Sequence, residues 1–144
     1  MILYLDTSVV LRVILASGKQ LEDWGHWSEA CSSELMGVEV RRSIDRLRLD
    51  QALDDQGVAA AARELGRVER EIGRIRLSRR ILHRASLPMA TAVKTLDAIH
   101  LASALLFQER RSAPVVFASH DFQQSLAATA LGFSCIGTPD RLPR

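Results

Sequence analysis

The sequence predicts an α/β fold with a mainly parallel sheet, and three observations predict it. Short apolar runs at residues 2–5 and 114–119 ("PVVFAS") look like buried strands. Segments with helical apolar spacing alternate with them, the pattern that builds strand–helix–strand units. The chain is 144 residues long, enough for one core, so residues 1–144 are expected to form one domain.

The elements follow in order. After the strand at 2–5, Asp6, Thr7 and Ser8 offer side-chain oxygens that can cap a helix over 8–15, which Gly18 ends. Residues 19–29 are polar and hold Trp24 and Trp27, which are expected to pack in the core or at a dimer contact rather than stack on bases. Ala30 and Cys31 begin a brief second strand closed by Ser32 and Ser33. Helical spacing runs over 34–49 and again over 54–72, while 74–78 alternates arginine with Ile75 and Leu77 as a third strand would. Pro88 punctuates a loop before "TLDAIHLASALLF" at 95–107, a helix with little face left for water. The strand at 114–119 precedes a helix over 122–131, which Gly132 terminates, and "FSCIG" closes the sheet.

Composition removes several classes. No apolar run reaches the ~18 residues of a membrane span, and no basic stretch precedes the apolar start, so a signal peptide is not expected. Cys31 and Cys135 lack metal-ligand spacing and read as reduced core residues of a cytoplasmic protein. The net charge of +2 is unevenly spread. Eight arginines fall between Arg63 and Arg84 against Glu64, Glu69 and Glu71, a stripe that suits either phosphates or a solvated helix face.

Four acids stand out. Ligands of open parallel sheets bind beyond the carboxyl ends of the strands. Asp6 and Asp121 both follow predicted strands and should share that rim. Asp97 lies in the first turn of the most apolar helix, where an uncompensated charge is costly. Glu39 lies one to two turns into the helix after the second strand, with Glu34 as its rival there. Singly, each acid suits a cap, a helix dipole or a surface position. Together they repel, and a hard divalent cation such as Mg²⁺ is the natural compensation. Metal-assisted phosphodiester hydrolysis is the chemistry that follows. His100, three residues after Asp97, reads as a hydrogen-bonding core histidine rather than a base.

The stretches "ILYLDTSVVLRVIL", "SSELMGVEVRRSI", "TLDAIHLASAL" and "VVFASHDFQQSLAATALGF" resemble, in order, the four acidic motifs of PIN-domain ribonucleases. Size and the "TLDAIHLASA" wording are most similar to VapC-type toxins of bacterial toxin–antitoxin pairs. The resemblance implies a PIN-like three-layer α/β/α fold on about five short, mainly parallel strands. It implies that Asp6, Glu39, Asp97 and Asp121 are the catalytic acids that hold Mg²⁺ or Mn²⁺, with Ser119 and Thr7 supporting the metal shell. The family's wording favours Glu39 over Glu34. Also implied are endoribonuclease activity on an RNA substrate, a cognate VapB-type antitoxin, a homodimer and no membrane. Arg41, Arg42, Arg110 and Arg111 become candidate RNA contacts. The alternative is a catalytically silent PIN-fold module that binds RNA or protein. Haloacid-dehalogenase-type phosphotransfer would need an acid at position 8, which is Ser, and a receiver domain would need a lysine beyond Lys94.

Overall fold

A computed structural model describes residues 1–139. Its first strand, β1 (Ile2–Leu5), leads into α1 (Thr7–Ile14). Then come β2 (Glu29–Ser33), α2 (Leu35–Leu49), α3 (Asp55–Glu71) and the short β3 (Gly73–Ile75). The second half runs α4 (Arg79–Ser86), α5 (Thr95–Arg111), β4 (Val116–Ala118), α6 (Phe122–Ala130) and β5 (Ser134–Ile136). The five strands are parallel throughout, in the order β3-β2-β1-β4-β5. This is a parallel α/β architecture, as the sequence predicts, on five short strands, as the resemblance implies.

The period-two alternation of a strand sorts its side chains to the two faces of the sheet. Leu3 and Leu5 of β1 and Ala118 of β4 join Val9, Met36, Val40 and Leu65 under α1, α2 and α3. Tyr4 and Phe117, the intervening residues, stack 5.2 Å apart on the other face, beneath Leu101, Ala104 and Ala127. β1 is covered on both sides, with Leu3, Tyr4 and Leu5 fully buried, so trimming Leu3 to alanine should cost ~2–5 kcal/mol. Trp24 and Trp27 meet edge to face and pack against the first core, as expected of them. Both cysteines are free thiols, and Cys31 is buried.

One helix and two strand lengths differ from expectation, β4 covering only Val116–Ala118 of the predicted 114–119. Helix α4 is absent from the sequence reading because "RRILHRAS" is short and mostly polar: Ile81 is its one buried residue, with Leu77 and Ala85 four residues either side against the same core. Its signal is local: the Ser78 hydroxyl accepts from the Ile81 N–H at 3.2 Å, capping the helix. That cap also stops β3 at Ile75, short of the predicted residue 78. No helix among the described residues is long and apolar enough to cross a membrane.

Candidate functional site

Strand order reverses between β1 and β4, which opens a crevice at their carboxyl ends. Asp6 emerges there from β1 and is almost wholly buried. It stands at the N-cap of α1, yet its side chain makes no capping bond. Instead Oδ2 accepts from Ser8 Oγ at 2.8 Å and from Ser119 Oγ at 2.9 Å. Ser8 Oγ in turn accepts from the His120 N–H at 3.0 Å. The helix-capping role suggested for residues 6–8 is thus corrected: the Ser8 hydroxyl, with that of Ser119 from across the β1–β4 crevice, serves the Asp6 carboxylate.

Asp121 follows β4 after two residues, is exposed, and does cap its helix, accepting from the Gln124 N–H at 3.0 Å. Asp97 sits in the first turn of α5, which Lys94 precedes without a side-chain cap. Burial, then the charges of Asp6 and Asp121, push its carboxyl up to about 6. Glu39 adds in the same direction and His100 opposes. Asp97 therefore lies near enough to feel the charges of the other three acids, which come from separate segments.

Glu39 is held differently from the other three. Its Oε1 accepts from Thr7 Oγ1 at 2.8 Å and from His100 Nε2 at 2.5 Å. His100 is fully buried, and its Nδ1 shares a 2.7 Å hydrogen bond with Tyr4 Oη. Burial alone would lower the imidazole, but the Glu39 bond and the charges of Asp6, Glu39 and Asp97 leave it raised. Burial would raise Glu39, and the bonds from His100 and Thr7 leave it lowered. Buried imidazole and half-buried carboxylate thus form a pair with Tyr4 behind it. The rival Glu34 stands apart: exposed, it accepts from the Leu77 N–H at 2.8 Å and ties α2 to the end of β3.

Among the described residues, no Lys or Arg pairs with Asp6, Asp97 or Asp121. No three His, Cys, Asp or Glu side chains among them already stand at metal-holding spacing. The donors are nevertheless carboxylate and hydroxyl oxygens, the set a hard divalent cation prefers. The raised Asp97 carboxyl registers negative charge that a cation would relieve. The residues present fit such an ion.

The four candidate RNA contacts divide. Arg41 pairs with Glu69 at 2.7 Å and Arg42 with Asp45 at 3.3 Å, both on the exposed side of α2. Arg111 pairs with Glu29, and Arg110 lines a cavity beside β3. These last two end α5, so at ~1.5 Å per residue they lie roughly 20 Å along the helix from Asp97. The structure does not bring them to the acidic rim.

Sequence reasoning missed three supporting residues: Tyr4, Ser8 in its contact with Ser119, and Gln124. Gln124 is 1% exposed and donates from Nε2 to the Asp97 carbonyl at 3.1 Å. It thereby joins the start of α5 to the start of α6. Its spacing of three from Asp121 signals the cap, but no pattern signals the bond to Asp97.

The sequence model of the family described as PIN domain matches residues 3–125. No curated protein matches the chain. Among solved structures, PAE2754 from Pyrobaculum aerophilum superposes with a TM-score of 0.62 at 15% identity, covering 94% of this chain and 83% of that one. FitAcB from Neisseria gonorrhoeae gives 0.63 at 15% identity, covering 94% and 96%. At such identity the likeness speaks for the fold alone.

Proposed function

The chain belongs to the PIN-domain family, whose members are typically nucleases, and from that premise we propose that it is a divalent-metal-dependent endoribonuclease. We assign it to the VapC type, the toxin of a type II toxin–antitoxin pair. One observation carries the catalytic part: at the sheet's switch point the Asp97 carboxyl feels the charges of Asp6, Asp121 and Glu39, and among the described residues no Lys or Arg pairs with the three aspartates. Asp6, Asp97 and Asp121 would hold Mg²⁺ or Mn²⁺, with Glu39 contributing through its second oxygen. When bound, the ion lowers the pKa of a water and stabilises charge on the attacked phosphate.

The chain's own side chains prepare that site. Ser8 and Ser119 fix Asp6 by two hydrogen bonds to one oxygen, which leaves Oδ1 for the ion. Thr7 and His100 fix Glu39 in the same manner. Gln124 holds the Asp97 and Asp121 helices at a set separation. Such outer contacts are typically worth 10–100-fold in metal affinity or activity. Arg42, exposed a turn beyond Glu39 and paired only with the solvent-facing Asp45, would meet RNA phosphate in this reading, and binding should weaken with salt.

Repression by a cognate VapB-type antitoxin follows from the same electrostatics. A guanidinium from such a partner would take the place of the cation among the acids and block substrate. A homodimer and a cytoplasmic location complete the reading. Incubation of the protein with RNA, with and without Mg²⁺ or Mn²⁺, tests it against Asp6→Asn and Asp97→Asn variants. Metal-dependent cleavage that both variants lose is expected. RNA binding without cleavage under either metal would assign the chain to the catalytically silent alternative.

A further inference from the structure

Beside β3, α4 and the carboxyl-terminal half of α5 lies a cavity of about 780 Å³, lined by the consecutive residues Gly73, Arg74, Ile75 and Arg76. β3 is the outermost strand of the sheet on this side. The Ile75 carbonyl accepts from the Glu34 N–H at 2.9 Å, so the peptide groups of Ile75 face β2. Those of Arg74 and Arg76 alternate with them and face outward. A strand edge with outward peptide groups is a template for a further strand. Edges are commonly blunted by charge or covered by a helix. Here α4 and α5 stand back from the edge and leave a groove instead.

The groove has a definite chemistry. Its floor is apolar, formed by buried Ile75 and Ile81 with the partly buried Leu106 and Phe107. Its charged rim is unbalanced. Arg74 is occupied by Glu69 and Glu29 by Arg111, whereas Arg76, Arg80 and Arg110 make no ion pair among the described residues. Glu109 is the one lining acid left to face them among the described residues.

We propose that this groove binds an extended acidic peptide segment of a partner protein, which adds to β3 as a sixth strand. Main-chain hydrogen bonds to Arg74 and Arg76 supply affinity, and apolar side chains at alternate positions enter the floor. Carboxylates flanking them meet the free guanidinium groups in charge-assisted bonds. A nucleic acid would satisfy the arginines but leave the peptide edge unpaired, which is why a peptide is favoured. The proposal stands apart from the acidic rim and does not depend on nuclease activity.

Selection of short random displayed peptides on the full chain, followed by fluorescence anisotropy of the enriched sequences, tests it. Two variants report on the two halves of the argument. Arg74→Pro removes an outward N–H while sparing the inward bonds of Gly73 and Ile75, a position where an edge strand tolerates proline. Arg80→Glu reverses the rim charge without touching the strand, and remains informative if the proline variant does not fold. Enriched peptides should alternate apolar and acidic residues and should lose about tenfold in affinity, ~1.4 kcal/mol, on either variant. Failure to enrich any peptide, or enriched peptides that bind both folded variants as tightly as wild type, overturns the proposal. So does a uridine oligonucleotide that loses affinity on Arg80→Glu when no selected peptide does.

Discussion

The acids of the β1–β4 rim and the acids of the α2–α3 surface carry the same charge and are treated in opposite ways. On α2 and α3, Asp45 lies beside Arg42 and Arg48, Glu64 and Glu71 beside Arg67, and Glu69 beside Arg41 and Arg74. Arginine bonds hold the Asp45 and Glu64 carboxyls below their ordinary values. At the rim, burial and neighbouring carboxylates hold Asp97 above its own. The chain has seventeen arginines, yet none pairs with the rim aspartates among the described residues. Exposed ion pairs contribute little to stability. The rim carries the opposite arrangement, a charge deficit kept in place, and that deficit is where the chemistry is expected.

Four measurements break or sharpen this contrast, from the largest expected effect to the smallest. Asp6→Asn should reduce metal-dependent RNA cleavage by about a thousandfold, or ~4 kcal/mol in the barrier, the upper range for loss of one group that stabilises transition-state charge. Cleavage at the wild-type rate would remove Asp6 from the mechanism. His100→Ala should destabilise the fold by ~3 kcal/mol in denaturant titration, because it leaves a cavity in the core and takes one hydrogen bond each from the half-buried Glu39 carboxylate and the buried Tyr4 hydroxyl. A loss below ~1 kcal/mol would show that water replaces the imidazole there.

Asp97→Asn should stabilise the metal-free protein at neutral pH by ~1 kcal/mol, discounted from the full shift because Asp97 is only partly buried. The sign follows from its titration near 6 when folded against an ordinary 3.8. The folded protein binds the extra proton, so the contribution is complete below pH 3.8 and is lost as pH rises through about 6. Metal-free melting should therefore decline over that window in wild type and not in the variant, while Mg²⁺ should restore wild type alone. Equal melting profiles with and without Mg²⁺ in both proteins count against the rim as a cation site. Last, Arg67→Ala, which breaks exposed pairs to Glu64 and Glu71, should leave cleavage unchanged and barely move the melting temperature.

Much of this was legible in the residues. Asp6 directly after an apolar strand and Asp121 just past "PVVFAS" could be assigned to one rim because parallel strands point their carboxyl ends the same way. The choice between Glu34 and Glu39 required the fold: both follow β2, but one faces Leu77 and the other faces Thr7 and His100. Arg110 and Arg111 looked like companions of the acids only until α5 placed them at its far end. Helix α4 escaped because it is eight residues long and its apolar trace, Leu77, Ile81 and Ala85, is too short to stand out among arginines.

Local chemistry, then, is what the sequence by itself determined: which segments form strands and helices, which acids end them, and which family they resemble. Those properties depend on neighbours in the chain and on side-chain alternation. Only the tertiary structure decided the pairing of Glu39 with His100, the Ser8–Ser119 clasp on Asp6 and the open groove along β3. Each joins segments distant in sequence, and the free energy of such a contact depends on three-dimensional distance and burial, which no run of residues encodes locally.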